Sequence, residues 1–243
     1  MRIDGRKNDQ IRPIVLTPNV TKYAEGCVMV EFGETRVLCT ASIDSGVPKW
    51  LQGTEKGWIS AEYGMLPRST HDRIRRDKAA NSGRTQEISR LIGRSLRSMV
   101  NLYDLGERQI MVDCDVLQAD GGTRTAAISG GAAALTMALN HLVKKGELKK
   151  LPINHMVSAV SVGVAEQGLL LDLCYVEDSE AETDMNFVMA DNGEFVEIQG
   201  TAEGKTFSQK DLSGLIELAN KGCQEIFKQQ RELFKNAGIE INS

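Results

Sequence analysis

At 243 residues, with 41% hydrophobic and 26% charged residues, the chain has an ordinary globular composition and enough length to bury a substantial core. No apolar run approaches the roughly 20 residues of a membrane span, and Met1-Arg2-Ile3-Asp4-Gly5-Arg6 lacks the apolar segment of a signal peptide. Five scattered cysteines without CxxC spacing argue against a disulfide framework or a zinc site, so the expectation is a cytoplasmic protein with no membrane partner.

The net charge of −4 conceals a segregation. Residues 68–97 carry nine Lys/Arg against three Asp/Glu, and residues 177–197 carry eight Asp/Glu and no Lys or Arg. The first run suits a localised polyanion surface and the second a metal ion; each equally suits a solvated face.

Taken in order, residues 14–43 alternate apolar and polar positions through Val28, Val30 and Phe32 and then Val37, Cys39, Ala41 and Ile43, about a Gly33-Glu34 turn. This predicts a hairpin with one buried face. Residues 44–83 read as loop-rich, and residues 71–82, with Arg73, Arg75, Arg76 and Lys78, as exposed and mobile. The spacing of Ile88, Leu91, Ile92, Leu96, Met99 and Val100 predicts an amphipathic helix over 85–101, with Gly83-Arg84 just before its first turn. Arg90, Arg94 and Arg97 form a second stripe, read as a solvated or subunit-contact face.

Ile110, Val112, Cys114 and Val116 predict a buried strand, and residues 126–145 a small-residue helix ended by Gly146. Gly130-Gly131 costs that helix about 1 kcal/mol per glycine relative to alanine, which close packing would offset. Between strand and helix lies Gln118-Ala-Asp-Gly-Gly-Thr-Arg-Thr125. A helix N-terminus offers unpaired N–H groups and a positive dipole end, glycine lets an anion approach the main chain, and arginine adds a planar fork for phosphate oxygens. Gly122, Thr123 and Arg124 therefore suit a phosphate, and Arg84, at the start of its own helix, could converge on the same anion. The plainer alternative is a tight turn with a solvent-facing arginine.

In the second half, residues 156–176 hold two alternating runs about Gln167-Gly168, and residues 186–199 two more about Asp191-Asn192-Gly193. Ser208-Gln-Lys-Asp211 is a capping box opening a long helix that Gly238 can end. Hairpins then helix, twice, predict an α+β fold with an internal duplication: a single domain over 1–243, with halves of about 1–145 and 146–243. The acidic stretch reads as a short loop joining two strands, with Asp178 and Asp184 on either side of it, able to point at one hard cation such as Mg²⁺ or to be acidic by chance.

The chain resembles bacterial ribonuclease PH, the phosphorolytic tRNA 3′-end exoribonuclease family. The likeness runs through Tyr23-Ala-Glu-Gly26, Val30-Glu-Phe-Gly33, Ala61-Glu-Tyr-Gly-Met-Leu-Pro-Arg68, Gly83-Arg-Thr85, Asp113-Cys-Asp-Val116, Gln118 to Thr125, Val176-Glu-Asp178, Glu182-Thr-Asp-Met-Asn186 and Gln199-Gly-Thr-Ala-Glu-Gly204. It implies a fold like ribosomal protein S5 domain 2, duplicated as β-sheet/helix halves in one compact subunit, and a homohexamer built as a trimer of dimers. It implies an enzyme that uses inorganic phosphate to release nucleoside diphosphates from tRNA precursors, reversibly. By motif match Arg84, Gly122, Thr123 and Arg124 bind phosphate, and Asp178 and Asp184 form the Mg²⁺-associated catalytic pair alongside Arg84 and Arg124. Arg68, Arg73, Arg75 and Arg76 are implied tRNA contacts, although the basic stretch before Gly83 is slightly shorter than is common in similar enzymes. Either Asp178 or water would then protonate the leaving 3′-oxygen. Two rivals stay open from the sequence: a catalytically silent RNA-binding ring subunit, and a metal-dependent hydrolytic nuclease.

Overall fold

The computed structural model describes residues 2–76, 82–203 and 205–241; Lys78 of the basic run lies outside them. The first sheet contains β1 (Ile14–Pro18), β2 (Gly26–Phe32), β3 (Thr35–Asp44), β4 (Trp58–Met65) and β5 (Gln109–Gln118), in the order β1-β2-β3-β5-β4. The second contains β6 (Val157–Ala165), β7 (Gly168–Leu171), β8 (Thr183–Ala190) and β9 (Phe195–Ala202), in the order β7-β6-β8-β9. The helices are α1 (Gly83–Ser98), α2 (Leu102–Leu105), α3 (Thr123–Lys144), α4 (Tyr175–Glu180) and α5 (Gln209–Asn236).

Period-two burial builds the first sheet's inner face. Val28, Val30 and Phe32 pair across to Cys39, Val37 and Thr35, and Cys39 and Ala41 pair on to Cys114 and Val112. All of these are buried. Helix α3 lies on this face and also reaches β6, where the amide of Ala159 donates to Ser129 Oγ at 3.0 Å. A Cβ on Gly130 would sit 2.5 Å from Val30 Cγ1 and 2.8 Å from Cys39 Sγ, so the helix approaches the sheet more closely there than alanine allows. Helix α5 covers β6 and β7 of the second sheet, with Leu215, Ala219, Cys223, Ile226 and Phe227 buried. The Ser208–Asp211 capping box and the positive φ of Gly238 bound α5. All five cysteines are buried and free.

Four expectations need correction. Residues 58–65, read as loop, form β4, an edge strand parallel to β5 and joined to it through α1. Its signal was sparse because only Ile59 and Tyr63 are fully inside, while Ser60, Glu62 and Gly64 alternate with them. Helix α1 begins at Gly83 with Ser82 as its N-cap, so Arg84 lies inside the first turn rather than before it, and Met99 and Val100 are buried beyond its end. The acidic stretch is no β–β loop: β7 stops at Leu171, buried Asp172 takes a left-handed φ of 56°, and residues 175–180 coil into α4, closed by Glu177 over the Cys174 amide. Finally, against the expectation of no such run, the 22-residue α3 is by length and composition apolar enough to span a membrane. Its burial between the sheets gives the physical reason, that of a core helix.

Candidate active site

The two halves meet at a cleft of about 480 Å³. Arg73, Arg84, Gly122, Thr123, Arg124, Asp178 and Asp184 all line it, with Ser161, Tyr175 and Asn186 among their neighbours. The first half supplies the cationic wall from two helix starts. The second supplies the acidic wall, Asp178 from α4 and Asp184 from the first turn-ward end of β8. Arg68, Arg75 and Arg76 are exposed and outside this lining; the Arg68 guanidinium donates to the carbonyl of His71 at 2.9 Å.

The geometry of the Asp120–Thr123 loop follows from its glycines. Gly121 and Gly122 have φ of 75° and 64°, and a Cβ on Gly121 would sit 2.6 Å from the Leu173 carbonyl oxygen and 2.7 Å from the Tyr175 nitrogen. Only glycine permits both the left-handed turn and this contact with the start of α4. Gly122 is the N-cap of α3 and provides no side-chain cap, which leaves first-turn N–H groups and the positive dipole end facing the cleft. Thr123 is fixed by a 2.8 Å hydrogen bond between its hydroxyl and that of buried Tyr63. Burial raises the Tyr63 phenol, and its bond to Thr123 and the charges of Arg84 and Arg124 only partly oppose this, so it stays a neutral phenol. Arg124 is held from the side: its Nη1 donates to Gln199 Oε1 at 2.9 Å and lies 3.5 Å from Glu87 Oε1.

The acidic wall carries an electrostatic conflict. Burial pushes the Asp178 carboxyl up, Asp184 pushes it further, and Arg84 and Arg124 pull it down. Both arginines therefore act on the same carboxylate across the cleft. Among the described residues no group of three or more His, Cys, Asp or Glu is arranged to hold a metal. Two carboxylates suffice for Mg²⁺, which characteristically takes one or two protein oxygens and completes its shell with water and phosphate. The repulsion between Asp178 and Asp184 is what such a cation would relieve, so the donor set fits it.

Several residues around the cleft were not singled out from sequence. Tyr63, Gln199 and Glu87 position Thr123 and Arg124 on the cationic wall, and Arg12 and Asp172 lie beneath the loop. Gln199 sits in a stretch that carried the family likeness, but nothing local marked Arg12 or Asp172.

Residues 10–139 match the 3′ exoribonuclease family, domain 1, and residues 155–222 match domain 2 of the same family. The chain belongs to the 3′ exoribonuclease family. A ribonuclease PH of Bdellovibrio bacteriovorus is 60% identical over 242 residues, covering 98% of this chain and all of that protein. The fold of this exoribonuclease recurs in rice (Oryza sativa) Rrp46, with a TM-score of 0.77 and 23% identity over 95% of this chain and 98% of that one. It recurs also in an Archaeoglobus fulgidus exosome solved with RNA bound to the active site, with a TM-score of 0.79 and 22% identity over 94% and 92%. These likenesses agree with the α+β, duplicated S5-like architecture read from sequence. The two sheets are not copies: among the described residues only the first contains a parallel pair.

Proposed function

We propose that the chain is a phosphorolytic 3′→5′ exoribonuclease that trims tRNA precursors and releases nucleoside diphosphates. It works in the cytoplasm as a homohexamer, a trimer of dimers. The observation that carries this reading is the cleft itself, with two guanidinium groups and an uncapped helix start on one wall and a carboxylate pair on the other. A hydrolytic nuclease needs no second anion seat. A silent RNA-binding subunit needs neither wall, and here both are present.

In this reading Arg84, Arg124 and the N-terminus of α3 hold orthophosphate and spread its charge, so that it can approach an anionic phosphodiester. Holding the two reactants side by side makes the attack effectively unimolecular. An orthophosphate oxygen bonds to the terminal phosphorus as the bond to the penultimate 3′-oxygen breaks, and that oxygen takes up a proton. Asp178 lines the cleft where this oxygen departs, and either its carboxyl or a water beside it supplies the proton. Asp178 and Asp184 would hold Mg²⁺, which when bound neutralises charge on the phosphoryl oxygens. Arg73 at the cleft, with Arg68, Arg75 and Arg76 beyond it, offers sequence-independent contacts to the RNA backbone. The product keeps a diphosphate, so the reaction reverses when diphosphates are abundant.

The test is shortening of a 3′-extended tRNA with Mg²⁺, with and without phosphate. Wild type should be inert without phosphate, and Arg124→Ala should raise the phosphate KM by about tenfold or more. Shortening that ignores phosphate, or unchanged kinetics in Arg124→Ala, would overturn the reading.

A further inference from the structure

The cleft's two walls come from opposite halves of the chain, so something must set their register. Beneath the phosphate loop lies Arg12, on the segment leading into β1, with its side chain only 4% exposed. It faces Asp172, which is completely buried. Arg12 Nη2 donates to Asp172 Oδ1 at 2.7 Å, and its Nε and backbone N–H donate to Oδ2 at 2.9 and 2.8 Å. The rest of the guanidinium turns to the loop: Nη1 donates to the carbonyl of Asp120 at 2.5 Å and Nη2 to that of Gly121 at 3.4 Å. Thr35 Oγ1 donates to the same Gly121 carbonyl at 2.6 Å and accepts from the Asp120 amide at 2.9 Å. Asp120 in turn accepts from the Tyr175 amide, in the first turn of α4, at 3.3 Å.

A buried ion pair adds little net stability, because desolvation offsets most of its attraction. What this one does is geometric. One planar fork engages a carboxylate of the second half and two carbonyls of the first, and those carbonyls belong to the residues that deliver Gly122 to the cleft. We propose that Arg12 is a positioning residue for the reaction: joined to Asp172, it fixes the phosphate loop against the helix that carries Asp178. This rests on the phosphorolytic reading, because the seat it aligns is the one assigned to orthophosphate.

Lysine keeps a charge for Asp172 but has no fork to reach both partners. Arg12→Lys should fold, raise the phosphate KM by about tenfold with kcat changed less than about threefold, and leave the KM for RNA unaltered. Phosphate should also raise its Tm less than that of wild type, a readout that needs no turnover. If Arg12→Lys does not fold, Thr35→Val withdraws the second donor from the Gly121 carbonyl and should shift the phosphate KM in the same direction. A purely structural role would appear as a lowered Tm with wild-type phosphate KM and wild-type phosphate-induced stabilisation, and would overturn the proposal, as would an unaffected Thr35→Val. A wild type indifferent to phosphate would instead defeat the phosphorolytic reading, so the two failures are distinguishable.

Discussion

The Asp178 carboxyl is raised first by burial and then by Asp184, while Arg84 and Arg124 pull against both. A carboxyl raised in the folded state burdens the fold whenever it is ionised. The burden is absent below the unfolded value of 3.8, where both states hold the proton, grows as pH rises toward the folded value, and is complete above it. Asp178→Asn, assayed with chelator and without phosphate, should therefore have a higher Tm than wild type at pH 7, and the gain should vanish near pH 3. Thermal melts across that range check this, and equal Tm values at pH 7 would count against the conflict. At this scale the charged side chains that line the cleft were legible because each sits in a short, dense pattern: Arg84 after Gly83, Arg124 after Gly121-Gly122-Thr123, and Asp178 and Asp184 in the acid-rich run. Their supports were not. Arg12 and Asp172 are 160 positions apart, and no local periodicity reports that they touch.

Among the elements, α3 sets the separation of the two halves, and its glycines are not equivalent. A Cβ on Gly130 would strike Val30 at 2.5 Å, whereas one on Gly131 would meet Val112 at an ordinary 3.4 Å. Gly130→Ala should thus lose about 1–3 kcal/mol through overpacking despite the better helix propensity. Gly131→Ala should be neutral or gain up to about 1 kcal/mol. Denaturant unfolding of the pair decides, and the reverse order would mean that α3 does not press on β2 and β3 as described. Elements with a dense apolar period, such as β2, β3, β5 and α5, were readable from sequence. The edge strand β4 was not, because its backbone is paired on one side and few of its side chains are buried. Helix α4 was not either, since the turn at Asp172 and the tie to Glu177 from Arg2, whose Nε and Nη2 donate to the Glu177 carboxylate at 2.7 and 2.6 Å, are tertiary.

At the level of the whole molecule, a net charge of −4 coexists with a basic stretch from which Arg73 and Arg84 reach the cleft, while Arg68, Arg75 and Arg76 lie exposed outside its lining. Segregation of this kind was visible in the sequence as two runs of opposite sign. That the runs face one another across the junction of two half-structures was not, because it depends on how α3 and the segment from Arg2 to Arg12 join the sheets. On the proposed phosphorolytic reading the meeting of the walls has a chemical consequence: an orthophosphate seated by Arg84 and Arg124 ends up in the product. Supplying radiolabelled orthophosphate with a 3′-extended, unlabelled tRNA and Mg²⁺ tests this most directly. The label should appear in the β-position of released nucleoside diphosphates; unlabelled nucleoside monophosphates as the product would contradict it.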